Sequence, residues 1–231
     1  MSIEELKDNE KQNEETTTLE EENNEEVVFD TKGKEKKRKK IIRFVAVTSV
    51  MTALSVGLYF LRFPLPIFPP FLKVQFSMLP LLMLSLLEGP IAGIIGLVLK
   101  TLIALPFSGS VYVGEFADLL IGSAAVLSAS FFYHFHKTKK GGAIALIIST
   151  ISWIIAGALA NYFILIPFYV KAFGFDAVFG MLQIIPNITE ENYLIYYILF
   201  ANIPFNCLLS VVVNLVTYFT YKKVSVIVKK E

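Results

Sequence analysis

From Ile41 to Thr220 the chain is almost continuously apolar, in runs longer than any globular core requires. A helix rises about 1.5 Å per residue, so roughly 20 residues cross the hydrocarbon layer of a bilayer. The first run, residues 41–61, has that length and carries no charge except Arg43 at its start. Composition agrees: 55% of the 231 residues are hydrophobic and the mean hydropathy is +0.60, too apolar for a soluble domain of this size. The chain reads as an all-α integral membrane protein.

The net charge of +1 conceals a segregated pattern. Residues 4–30 carry twelve Asp and Glu, whereas residues 32–43 carry eight Lys and Arg. The acidic stretch has too little apolar surface to offset its ordering entropy, so residues 1–40 read as a disordered tail, acidic and then basic. Acid before base, followed by a full-length span, does not fit a secretory signal. Lys32–Lys40 reads as a cytoplasmic flank able to meet anionic lipid.

Six spans account for residues 41–221. The first, about 41–61, places Ser49, Ala53 and Gly57 at four-residue spacing, a stripe of small residues that permits close helix approach. Phe63–Phe71 follows, with four prolines in nine residues: an irregular, stiff, aromatic loop that suits a lid over a cavity mouth. Met78–Leu87 is a short run ended by Glu88-Gly-Pro90, and the third span, about 90–107, contains Lys100. The fourth, about 112–133, contains Glu115 and Asp118. A hairpin folded at residue 109 brings Asp118 level with Lys100. An intramembrane Lys faces a partner or a wet cavity, so the two read as a buried ion pair, either a structural bridge or part of a ligand site.

The fifth span, about 143–169, carries Trp153, Asn161 and Tyr162 and closes near Pro167; residues 171–191 read as a loop. The sixth, about 193–220, carries Asn202, Pro204, Asn206 and Asn214, and residues 222–231 form a basic tail. With the N-terminus inside, the cytoplasmic flanks hold fifteen Lys and Arg against three outside, so both termini are expected in the cytoplasm.

No catalytic constellation is present. Cys207, His134 and His136 form neither a metal set nor a nucleophile–base pair, and Cys207 reads as a small packing residue. The chain is therefore expected to be no enzyme and to hold no cofactor or metal. The polar residues fall inside the apolar runs instead. The amides Asn161 and Asn206, the phenol of Tyr162 and the Lys100–Asp118 pair gather towards the outer halves of the spans. Amides offer donors and acceptors together, which suits a flat, uncharged, hydrogen-bonding ligand bordered by aromatic rings.

An ordered set of short motifs supports this reading. Ala53-Leu-Ser55 is followed by Phe63-Pro-Leu-Pro66, Phe68-Pro-Pro-Phe-Leu-Lys73, Phe76-Ser77 and Leu79-Pro80. Glu88-Gly-Pro90 with Gly93, Gly114-Glu115, Asn161-Tyr162 with Pro167, and Pro204-Phe-Asn206 complete it. In this order they resemble the S components of energy-coupling factor (ECF) vitamin transporters, most closely the riboflavin-specific ones. The resemblance covers nearly all of residues 41–220 and leaves the acidic tail outside.

The resemblance implies a bacterial plasma-membrane protein that captures riboflavin or a related flavin from outside. It then docks on an ECF transmembrane coupling protein driven by two cytoplasmic ATPase subunits. Asn161, Tyr162, Asn206, Lys100, Glu115, Asp118, Phe68 and Phe71 would form the substrate site, and Ser49, Ala53 and Gly57 the docking stripe. Three positions depart from the family pattern: Leu209 stands where a Lys is expected, Asp118 where Asn is common, and Gln75 where an acid is usual. A lost charge-assisted hydrogen bond, about 1.5–3 kcal/mol, would weaken binding or change the preferred flavin. An S component for another vitamin, such as thiamine or pantothenate, and a ligand-free membrane scaffold are the alternative readings.

Overall fold

A computed structural model of the chain describes residues 34–229 and is predominantly helical. The chain divides into two compact units, the first ending at Val45 and the second beginning at Ala46. Over its described residues the first unit is helical and basic, with Lys36–Lys40 exposed. These belong to α1, Lys34–Phe60, so the run from Lys34 to Lys40 is helical where the sequence reading has tail. The acidic stretch lies outside the described residues.

Within the second unit, α1 buries Thr48, Met51, Thr52, Ser55 and Tyr59, one face at helical period. A two-residue antiparallel ribbon follows, β1 (Phe63–Pro64) against β2 (Lys73–Val74), with Phe63 opposite Val74 and Pro64 opposite Lys73. The proline-rich segment is therefore a clamped hairpin rather than an irregular loop. A proline survives in a ribbon this short because no further strand needs its missing N–H.

Among the described residues, five helical segments are long and apolar enough to cross a membrane: Lys34–Phe60, Pro90–Phe107, Val113–Phe135, Lys140–Phe173 and Tyr193–Tyr221. The expected second span, α2 (Met78–Glu88), has 11 residues and reaches only about 16 Å. Eight of its residues are buried against protein, as expected of a helix apolar on all sides and enclosed by others. Next come α3 (Pro90–Ala104) and α4 (Val113–Phe135). A Cβ on Gly93 of α3 would lie 2.6 Å from both Ser85 Cβ and Val126 Cγ1, so glycine sets the close approach of α3 to its neighbours.

Hydroxyls tie the helices together where no water competes: Ser55 Oγ donates to Ser77 O (2.6 Å), Ser130 Oγ to Ser85 O (2.8 Å) and Ser149 Oγ to Ala125 O (3.0 Å).

The last two crossing segments share a device. In the first, α5 (Lys139–Ala160) passes through a π turn, Asn161–Leu165, into α6 (Ile166–Phe173). In the second, α8 (Tyr193–Tyr197) passes through a π turn, Ile198–Asn202, into α9 (Ile203–Lys229). Each π turn ends two residues before a proline, Pro167 and Pro204. Proline lacks an N–H and clashes with the preceding turn, and a widened turn takes up both defects. Hence the fifth span continues through Pro167 instead of closing there.

Residues 171–191 are only partly loop. Gly174, at φ +88°, breaks the chain into α7 (Phe175–Leu182), an amphipathic helix that buries Val178 and Leu182. Cys207 is free and exposed on α9, not packed inside.

Candidate ligand-binding site

A cavity of about 450 Å³ opens under the β1–β2 hairpin. Phe71 of the hairpin meets Tyr169 and Tyr197 at ring-centroid distances of 5.5 and 5.6 Å, and Phe68 meets Phe205 at 5.3 Å. The prolines stiffen this cover and its aromatic rings hold it on α6, α8 and α9. One side of the cavity is charged, the other amide and aromatic, with Leu165, Phe173, Val178 and Met181 as an apolar stretch.

The charged side is built from α1, α3 and α4. Lys100 Nζ lies 3.1 Å from Asp118 Oδ2, with side-chain exposures of 1% and 30%. The hairpin register thus brings together the pair inferred from equal spacing about residue 109. Gln75 Nε2 donates to the same Asp118 oxygen. Glu115, 4% exposed, accepts at Oε1 from Tyr59 Oη (2.7 Å) and Arg62 Nη1 (3.4 Å), and at Oε2 from Ser110 Oγ (2.9 Å) and Ser108 Oγ. These four donors fill the carboxylate's lone-pair positions.

Arg62 also donates to Tyr59 Oη (2.6 Å) and Phe107 O (3.1 Å) and lies over the Tyr59 ring at 4.2 Å, while Lys100 Nζ approaches that ring at 5.1 Å. Two cations and two anions around one phenol neutralise each other.

The opposite side is built from the two π-turn segments. Trp153 Nε1 donates to Asn206 Oδ1 (3.1 Å), and Asn206 Nδ2 donates to Asn202 O (2.9 Å). Tyr197 Oη donates to Asn161 Oδ1 (2.6 Å), and Asn161 Nδ2 donates to Gly157 O (2.8 Å). A carboxamide has two N–H groups and two lone pairs. Asn161 and Asn206 each spend one of both on the protein, and both line the cavity. One donor and one acceptor therefore remain on each amide for a ligand, in fixed orientation.

Asn161, Asn206, Glu115, Asp118 and Phe71 all line the cavity, together with Trp153, Tyr169 and Gln75. Lys100 stands behind Asp118, and Phe68 behind Phe205. Tyr162 does not line it: the side chain is 39% exposed and its ring packs on Phe163 at 4.8 Å. One step along a helix turns a side chain by about 100°, so Asn161 pointing inward carries Tyr162 outward. Leu209, one turn beyond Asn206, also lines the cavity. Trp153 was absent from the expected site, although Trp153, Gly157 and Asn161 recur every four residues and mark one helix face.

A multi-span helical protein with a half-amide cavity under a hairpin cover is a membrane-embedded ligand receptor. Comparison gives the family: residues 43–221 match the model for the ECF transporter, substrate-specific component. The chain is 30% identical over 198 residues to the riboflavin transporter RibU of Staphylococcus aureus, covering 86% of this chain and 98% of that one. It is 30% identical over 131 residues to the riboflavin transporter FmnP of Bacillus subtilis, covering 55% and 69%.

A solved structure described as the S component of a bacterial ECF transporter superposes with a TM-score of 0.63 at 30% identity, covering 84% of this chain and 99% of that one. The chain belongs to the ECF substrate-specific components. It is a substrate-binding part of a membrane transporter and not an enzyme.

Proposed function

We propose that this chain captures riboflavin, or a close flavin, from outside the cell for an ECF importer. The observation that carries the reading is the pair of cavity amides, Asn161 and Asn206, each with one unspent donor and one unspent acceptor. A flavin ring carries one imide N–H flanked by carbonyl and ring-nitrogen acceptors along one edge and is apolar along the other. The amides suit the first edge; Leu165, Phe173, Val178 and Met181 suit the second. The volume of about 450 Å³ falls within the range of small-molecule sites, roughly 300–1,000 Å³. The names of the RibU and FmnP relatives support the same ligand.

The rest of the assembly follows the family. Ser49, Ala53 and Gly57 lie exposed on α1, and a Cβ at Gly57 would meet nothing within 4 Å. This open stripe is the proposed docking face for the transmembrane coupling protein, which two ATPase subunits drive. Both termini are cytoplasmic in this reading, and α2 serves as the short sixth membrane element.

The test is to purify the protein in detergent from cells grown in rich medium and to record flavin absorbance and fluorescence after denaturation. Near-stoichiometric flavin that is lost in Asn206→Ala supports the assignment. A colourless protein that also fails to quench added riboflavin overturns it and leaves another vitamin as the ligand.

A further inference from the structure

Of the residues lining the cavity, Gln75 alone carries a buried polar atom with no hydrogen-bond partner among the described residues, its Oε1. Its amide nitrogen is committed: Nε2 donates to Asp118 Oδ2, which also receives Lys100 Nζ at 3.1 Å. A carboxylate held by an ammonium group only accepts, so it must face the NH₂ end of the amide. The Lys100–Asp118 pair thereby fixes which way the Gln75 carboxamide points, and leaves its oxygen as an acceptor without a donor. A buried acceptor is costly until paired. Gln75 directly follows β2 of the cover and lines the cavity beside Asp118.

We infer that Gln75 is a specificity-determining residue, its Oε1 accepting a hydrogen bond from an N–H or O–H of the ligand, with Asp118 and Lys100 as the residues that orient it. The inference rests on the flavin reading above. The donor is either the imide N–H of the flavin ring or a hydroxyl of its ribityl chain.

Fluorescence titration of the full chain with riboflavin, 3-methylriboflavin, which lacks the imide N–H, and lumiflavin, which lacks the ribityl chain, tests it. Gln75→Met should weaken riboflavin about tenfold while changing one of the two analogues less than about threefold. Sparing of 3-methylriboflavin identifies the ring N–H; sparing of lumiflavin identifies a ribityl hydroxyl. Equal weakening of all three ligands, or unchanged riboflavin affinity, overturns the inference.

Asp118→Asn, which keeps an oxygen for the Lys100 ammonium, gives a second reading at a different residue. Asparagine can hand Gln75 an N–H and lets its amide turn over. An imide N–H then loses its acceptor and 3-methylriboflavin should again be spared, whereas a ribityl hydroxyl can accept from the turned amide and loses little. Unaltered discrimination in Asp118→Asn, where Gln75→Met has spared 3-methylriboflavin, also overturns the inference. A wild-type chain that binds none of the three overturns the flavin reading itself.

Discussion

The two sides of the cavity solve the same problem differently. Both place polar groups inside a membrane, where an unpaired one is expensive. Around Tyr59 the groups are ionic and pair off: Arg62 with Glu115, Lys100 with Asp118, and every lone pair of Glu115 occupied. Along Trp153, Asn161 and Asn206 they are neutral and half-spent. Saturation makes a scaffold and leaves little to offer a ligand; partial satisfaction of a neutral amide leaves ligand valences at modest cost. The charged groups should therefore control stability, and the neutral amides, Gln75 beside the charges included, affinity.

The largest expected effect falls on the charged side. Asp118→Leu leaves the Lys100 ammonium, 1% exposed, without its carboxylate. Breaking a buried pair from one end costs about 3–5 kcal/mol. Thermal unfolding of the ligand-free protein in detergent should show this loss, and adding Lys100→Met should restore most of it. A single variant as stable as wild type would mean that the cluster is no scaffold.

Next is Asn161→Ala, which removes the amide proposed to meet the ligand and leaves the Tyr197 hydroxyl without its acceptor. Riboflavin affinity should fall about tenfold to a hundredfold. If stability falls as far as in Asp118→Leu while affinity holds, the contrast between the two sides is wrong.

Gly157→Ala probes the amide side without touching an amide. Its Cβ would lie 2.9 Å from Asn206 Cγ and would push that side chain off the Trp153 N–H. Overpacking costs about 1–3 kcal/mol, partly offset by roughly 1 kcal/mol from replacing a helical glycine. Unfolding should thus change little, while riboflavin titration shows several-fold weaker binding. Unchanged affinity would mean that Asn206 tolerates displacement and is not held in one orientation.

Legibility in the sequence divided along the same line. Lys100 and Asp118 were readable as a pair because an intramembrane charge demands a partner and one hairpin turn fixes the register. The prolines and phenylalanines of 63–71 were readable as a cover because neither a helix nor water accommodates them well. What stayed hidden depends on departures from regular geometry. The π turns at Asn161–Leu165 and Ile198–Asn202 leave no mark in a hydropathy pattern. Trp153 and Tyr197 look like ordinary apolar filler until their polar atoms are seen meeting Asn206 and Asn161. The helix α7 was concealed by Gly174, Asp176 and Gly180, which give residues 171–191 the composition of a loop.

Tyr162 gives the smallest expected effect and the sharpest check on that geometry. Read from sequence, the Asn-Tyr pair suggests two ligand contacts side by side. Adjacent residues on a helix diverge by about 100°, and here Tyr162 packs on Phe163 with 39% of its surface exposed, in a span whose outer face meets lipid. Tyr162→Leu keeps an apolar side chain on that face. Surface substitutions of this kind stay within about 0.5 kcal/mol, so riboflavin affinity should remain within about twofold of wild type. A tenfold loss would place the phenol inside the cavity when ligand is bound. The fifth span would then have to rotate about its π turn, making that turn a moving part rather than a fixed accommodation of Pro167.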